Sequence, residues 1–319
     1  GVKFIGLVGA VVALMDAGYS FQRASGVSAG SVVAAIIAAA STGNQLTSEQ
    51  VTELALSVPL RKWRDTAPIP ILGSAWGLVR DTGLYRGDFA HDWIRSELKN
   101  LGVTTFGDLA VDDDHLLEER RYKAVVTVAD LTTGQLVRLP WDYRRVYGLD
   151  PDEQPVADAV RASMAIPFFY RPVTLTSATG LRSTLVDGGV LSTFPIDSLD
   201  RPDAKPPRWP TFGITVMPKL VEGVESALPK LRPLRLLGPP SLLESLITTM
   251  LVGHDQTHLN EPWVSARAIR VVSTNVSALD FGISRARLEA LYDRGYDAAQ
   301  RFLSTWDFPA YLKRFRRYQ

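Results

Sequence analysis

The chain has 319 residues, 46% of them hydrophobic, and a formal net charge of +1 at pH 7. It has apolar material for one large core or two smaller ones, and no global field that would hold nucleic acid or draw the chain onto anionic membranes. It contains no cysteine, which excludes disulfides and thiolate metal sites and fits an intracellular protein without excluding a secreted one.

Phe4 to Met15 is an uncharged apolar run behind Lys3. It is superficially similar to a signal-peptide core, but no small-residue cleavage site follows and no Met begins it, so it reads as a helix from about Ile5 to Ala17, ended by Gly18. No run approaches the ~20 apolar residues that span a bilayer. Phe21 to Ser25 reads as a short strand, and Ala29 to about Thr42 as an apolar helix closed by Gly43. Thr47-Ser48-Glu49-Gln50 is a capped helix start, with the helix running to Ser57. Residues 59–86 are punctuated by Pro and Gly, and Gly87 to Leu101 returns to a helical pattern. Tyr122 to Ala129 has the β-branched, apolar character of a buried central strand, with Gln135 to Leu139 as its hairpin partner after a Thr-Thr-Gly turn. Further strands are expected to end at Asp187 and to cover Phe212 to Met217 and Ile269 to Ser273. Leu242 to Leu259 is helix-like, and helices are expected at about Ser284 to Thr305 and Pro309 to Arg316. Arg201–Pro210 and Pro218–Pro240 are proline-rich, as surface loops or a mobile cap would be. There is no internal repeat. The alternation of helices and strands predicts one α/β domain over residues 1–319 with a mostly parallel sheet covered on both faces. Its core is residues 1–217 with an insertion at about 59–86; residues 218–319 add a loop, a strand and C-terminal helices.

Gly26-Val27-Ser28-Ala29-Gly30 lies between a strand-like and a helix-like run, the context of a nucleophile elbow. A serine on such a turn has its hydroxyl pushed out of the backbone, and the following helix points free N–H groups at the same spot. Ser28 is the candidate nucleophile; the bland alternative is a small-residue helix entry that packs tightly on a sheet. Only 27 residues precede Ser28, too few for the strands that an α/β-hydrolase places before its serine. Of His91, His115, His254 and His258, the last two come late enough to mimic the hydrolase order, but they lie in a helix-like stretch. Leu185-Val186-Asp187-Gly188-Gly189 places an aspartate at the end of an apolar strand where glycines open the backbone, so Asp187 is the leading candidate base. An unperturbed aspartate, with a pKa of about 3.9, is ionised at neutral pH and a weak base.

These blocks, together with Ala162-Ser163-Met164-Ala165-Ile166-Pro167, resemble the patatin-like phospholipase family. The resemblance implies a three-layer α/β/α fold and a Ser28–Asp187 dyad that hydrolyses lipid acyl esters through an acyl-serine intermediate. It implies no histidine, cofactor or metal. Gly26, Gly30 and Gly189 are motif glycines; Gly1, Lys3, Gly188 and the Ala29 N–H are expected to form or support the oxyanion hole. The opening Gly1-Val2-Lys3-Phe4-Ile5-Gly6 matches only the end of the family's glycine-rich loop, with Phe4 where a glycine is usual. The expectation is that the first strand and two glycines belong to the natural protein ahead of Gly1. The expected substrate is a phospholipid, lysophospholipid or related acyl ester, with no nucleic-acid partner, and the expected setting is cytoplasmic, with peripheral membrane contact as an option. An acyltransferase with the same dyad and a silent lipid-binding scaffold are the alternatives.

Other patterns have plainer explanations. His254 and His258 have the spacing of a zinc pair, but no glutamate follows the first and no third ligand is evident. Arg61-Lys62-Trp63-Arg64, followed by Ile69, Ile71, Leu72 and Trp76, fits core packing with a basic rim better than an interfacial segment, and the C-terminal face of Phe308, Tyr311, Leu312 and Phe315 fits a docked amphipathic helix better than membrane or partner contact. Ser163 lacks an elbow and is expected to support the pocket.

Overall fold

A helix that is apolar on every side has to be buried on every side. α1 (Phe4–Asp16, FIGLVGAVVALMD) meets that demand, with residues such as Ile5, Ala10 and Leu14 almost wholly covered. The structure is a computed structural model that describes residues 2–43, 45–65, 83, 85–201, 205–218, 256–273, 276 and 280–316. In chain order the next elements are β1 (Ala24–Val27), the buried apolar α2 (Ala29–Ala40), α3 (Ser48–Ser57) and α4 (Asp88–Asn100). Then come β2 (Ala124–Asp130), β3 (Gln135–Leu139), α5 (Val156–Ser163), β4 (Val173–Thr176) and β5 (Arg182–Asp187). β6 (Gly213–Pro218), α6 (Gln256–Asn260), α7 (Pro262–Ser265), β7 (Ala268–Ser273), α8 (Arg285–Leu303) and α9 (Phe308–Tyr311) complete the chain.

β2 is buried along its whole length, as its unbroken Ala-Val-Val-Thr-Val-Ala run requires of a central strand. β1 pairs with it in parallel, and β3 and β5 antiparallel; β4 continues from β5, and β6 and β7 form a separate parallel pair. The fold is α/β, and the pairing is mixed because short hairpins connect β2 to β3 and β4 to β5. β3 occupies Val126 to Asp130 on one edge of β2. β1, opposite Ala124 to Thr127, and β5, opposite Val128 to Asp130, must therefore share the other edge. They approach each other end to end, Val27 level with Thr127 and Asp187 level with Val128.

Several boundaries differ from the sequence reading. The first strand begins at Ala24 rather than Phe21, because pairing starts where Ala24 N–H donates to Lys123 O (2.7 Å); Phe21 packs into the core from the preceding loop. β4 and the polar start of β5 carry no periodic signal strong enough to predict, and α5, though amphipathic, is only eight residues long. Most of the helix expected over Leu242 to Leu259 lies outside the described residues, as do residues 219–240 of the second proline-rich stretch and 66–82 of the insertion. Thr47 and Gln50 form the predicted capping box of α3. Trp63 is buried and stacks on Phe4, and Tyr311 is buried with its hydroxyl donating to Trp263 O; Ile69, Ile71, Leu72 and Trp76 lie outside the described residues.

α1 and α8 cross at backbone contact. A Cβ on Gly9 would lie 2.0 Å from Tyr292 O, and one on Gly295 1.9 Å from Gly6 O. Helix propensity alone would make Gly295→Ala stabilising by about 1 kcal/mol. The close approach reverses the sign: urea denaturation is expected to show a loss of about 1–3 kcal/mol, and a gain would mean that the two helices separate at little cost.

Candidate active site

The end-to-end meeting of β1 and β5 carries Ser28 and Asp187 to the same point on β2. Ser28 Oγ donates a hydrogen bond of 2.5 Å to Asp187 Oδ2. Ser28 adopts φ 53°, ψ −129°, a backbone state that a non-glycine residue holds at a cost on the order of 1–3 kcal/mol. Its backbone is fixed from both sides. Ser28 N–H donates to Ser163 Oγ (2.9 Å), and Ser28 O accepts from Ser31 N–H (2.9 Å) and Ser31 Oγ (2.6 Å). The turn is tight enough that a Cβ on Gly26 would stand 2.2 Å from Gly30 O, and one on Gly188 2.5 Å from Thr127 O. Gly30 is under no such pressure: its Cβ would meet Leu7 Cδ1 at 3.7 Å, an ordinary contact.

Asp187 has no exposed surface. Its Oδ1 accepts from Gly189 N–H (2.8 Å), its Oδ2 from Ser28, and its own N–H donates to Ala165 O (2.9 Å). Burial pushes its pKa up to about 6, with the Ser28 and Gly189 hydrogen bonds opposing the shift. The carboxylate is thus a stronger base than the free side chain and still largely ionised at neutral pH.

Ser163 takes no position from which to attack. Its hydroxyl is wholly buried at the end of α5, accepts from Ser28 N–H and donates to Thr127 O (2.7 Å), so both of its bonds tie the elbow to the central strand. The Ala-Ser-x-Ala-x-Pro block gave the only sequence signal for this link. Ala29 opens α2, where its N–H has no acceptor within the helix, and it lines the same cavity as Ser28. Lys3 lines that cavity too, and burial lowers the pKa of its amine. Gly1 lies outside the described residues. The cavity holds about 1050 Å³ and runs from Ser28 along β1 and β6.

His91 Nε2 lies 2.7 Å from Asp158 Oδ1, His115 lines the cavity, His258 stands edge-on to Trp263, and His254 is outside the described residues. Among the described residues no histidine hydrogen-bonds to Ser28 or Asp187, and no group of three His, Asp or Glu side chains is placed to hold a metal ion.

The chain is similar to known proteins in sequence and in fold. The family described as patatin-like phospholipase matches residues 1–200. A Bacillus subtilis (strain 168) protein, YqhO, described as uncharacterized, is 34% identical over 311 residues, which cover 97% of each chain. The crystal structure of VipD from Legionella pneumophila shares the fold at a TM-score of 0.51 and 16% identity; the match covers 96% of this chain and 65% of that one.

Ser163→Ala removes the acceptor of the Ser28 N–H and leaves Thr127 O without its donor. Loss of a buried hydrogen bond on this scale, about 1–3 kcal/mol, is expected to slow fluorophosphonate labelling about tenfold or more while the fold persists. Labelling at the wild-type rate would show that the elbow holds its shape without Ser163.

Proposed function

The chain belongs to the patatin-like phospholipase family, and on that basis we propose that it is a serine hydrolase of lipid acyl esters, of phospholipase A or lysophospholipase type, in which Ser28 and Asp187 form the catalytic dyad. Family membership carries the coarser reading, a lipid hydrolase. The finer one rests on a single observation, the 2.5 Å hydrogen bond from Ser28 Oγ to Asp187 Oδ2.

In this mechanism Ser28 Oγ attacks the ester carbonyl carbon as its proton passes to Asp187 Oδ2. The carbonyl oxygen becomes an oxyanion, and the Ala29 N–H and the positive end of α2 stabilise it. Collapse breaks the bond to the alcohol, which leaves with the proton from Asp187. Water then attacks the acyl-serine, gives its proton to Asp187, and releases the carboxylic acid as Ser28 Oγ recovers that proton. A base whose pKa lies near the working pH is suited to both half-reactions.

A fluorophosphonate probe is expected to label the wild-type chain and not Ser28→Ala. Equal labelling would remove Ser28 from the mechanism.

The raised pKa of Asp187 gives activity and stability opposite pH dependences. Hydrolysis needs the ionised form, so kcat/KM for a p-nitrophenyl acyl ester is expected to fall as pH drops through about 6. The folded-state pKa lies above the ordinary 3.8, so the stability this group contributes is fully present below about 4 and is lost as pH rises through about 6. Asp187→Asn is therefore expected to cost on the order of a hundredfold or more in turnover while melting higher than wild type at pH 8 and not at pH 4. Unchanged turnover, or an acid limb near pH 4, would contradict the assignment.

A further inference from the structure

Three surface segments lie side by side next to the site. Tyr85 N–H donates to Phe169 O (2.9 Å), Arg171 N–H to Tyr85 O (3.1 Å) and Arg86 N–H to Asp65 O (3.0 Å), which joins residues 168–171, 85–89 and 61–65 into one strip. Aromatic rings form its floor. Phe169 packs on Tyr85 (4.8 Å) and stacks on Phe281 (5.5 Å), Trp63 lies against Phe281 (6.3 Å), and Tyr170 Oη donates to Trp63 O (3.1 Å). From α5, the buried guanidinium of Arg161 donates to Arg86 O and Arg171 O, so the strip is tied to the core at several points. It adjoins the site, because Phe168 follows Ile166, which lines the cavity at Ser28, and Ala165, whose C=O accepts from Asp187 N–H.

Phe168 holds φ 67°, a backbone state that is strained for a bulky residue and open to glycine. Burial does not offset that strain: the Phe168 side chain is 42% exposed, while Phe169 beside it is 7% exposed. Trp63 is turned into the core, but its neighbours Arg61 and Lys62 are exposed, as are Arg86 and Arg171. The acids of the strip are occupied. Asp65 accepts from Gly87 and Phe89 N–H, and Asp88 pairs with Arg86. Arg61, Lys62 and Arg171 therefore give a local positive field on a chain whose net charge is only +1. We propose that this strip docks onto an anionic bilayer surface, with the Phe168 ring inserted among the acyl chains and Arg61, Lys62 and Arg171 against the headgroup phosphates. Such a surface supplies both needs at once, apolar depth for the ring and phosphates for cations that stay outside it. The bearing of docking on catalysis rests on the hydrolase reading above, since Phe168 and Ile166 bring the docked surface next to Ser28; docking itself does not.

The test is flotation of the full chain, carrying Ser28→Ala so that no lipid is consumed, with phosphatidylcholine vesicles that contain or lack phosphatidylglycerol. The chain is expected to bind the anionic vesicles about tenfold or more tightly than the neutral ones, and to be released by salt as screening shortens the reach of the cations. Phe168→Gly is expected to weaken binding to the anionic vesicles about tenfold. Glycine accepts the positive φ, so the urea midpoint of this variant is expected to stay or rise, which separates lost docking from misfolding. Arg61→Gln with Lys62→Gln is expected to weaken binding about tenfold or more, at about fivefold for each cation. Lys313→Gln with Arg314→Gln, which removes two exposed cations past α9, is expected to leave it unchanged. Equal binding to both vesicle types, full binding by Phe168→Gly, or an equal loss with the two cation pairs overturns the proposal. So does the absence of binding to either vesicle at low salt, which would leave the cations to an acidic protein. Because only flotation is read, failure here leaves the Ser28 and Asp187 assignments untouched, and failure of those assignments leaves the docking surface untouched.

Discussion

Taking a carboxylate wholly out of water costs several kcal/mol unless hydrogen bonds replace the lost solvation. Asp187 is supplied with two, from Ser28 Oγ and Gly189 N–H, and both depend on where β5 stops. If β5 slipped by one residue along β2, Asp187 would point to the opposite face and the apolar Val186 would take its place. The packing of Gly188 against Thr127 O guards that register, since any side chain there would push the strands apart. The same few atoms of β2 hold the serine: Thr127 is level with Val27 and accepts from Ser163, which in turn accepts from Ser28. The hydrogen bond between Ser28 and Asp187 is thus one consequence of how two strands abut on a third.

Much of this was legible in the chain. Gly26-Val27-Ser28-Ala29-Gly30 announced a strand-to-helix turn because the glycines, the strand-like lead and the apolar helix all agree, and the structure puts a positive-φ serine there. Asp187 was legible for the same reason, as the polar end of an apolar run before two glycines. α4 and α8 were visible through their periodicity, and α1 and α2 as unbroken apolar runs. What could not be read was long-range: that Val27 and Asp187 arrive at neighbouring positions on β2, and that α5 delivers Ser163 beneath the elbow. Short polar strands such as Val173–Thr176 gain their stability from the hairpin they join, so their own residues carry little signal. The crossing of α1 and α8 shows in sequence only as Gly6, Gly9 and Gly295, which helix propensity alone reads as flaws.

The shift of Asp187 changes the balance expected from sequence. A free aspartate is a poor proton acceptor from an alcohol, and a mechanism built on one would lean almost wholly on donors to the oxyanion. Burial lifts the pKa to about 6, which improves the base at the expense of folded-state stability near neutral pH. A carboxylate raised in this way must also be kept from water, which the packing of β2, Gly188 and Ala165 around Asp187 achieves.

The donors remain the other half of the proposed reaction, and here the hydrogen bonds already formed restrict the choice. Ser28 N–H is engaged by Ser163 Oγ and Gly189 N–H by Asp187, so neither amide is free to turn to an oxyanion without breaking a bond that holds the site together. Ala29 N–H is open. Removing one donor from an oxyanion hole costs roughly 10²–10³ in turnover elsewhere, so a hole built on Ala29 alone would be poor. The segment that leads into α1 lines the same cavity through Lys3, with Val2 buried beside it.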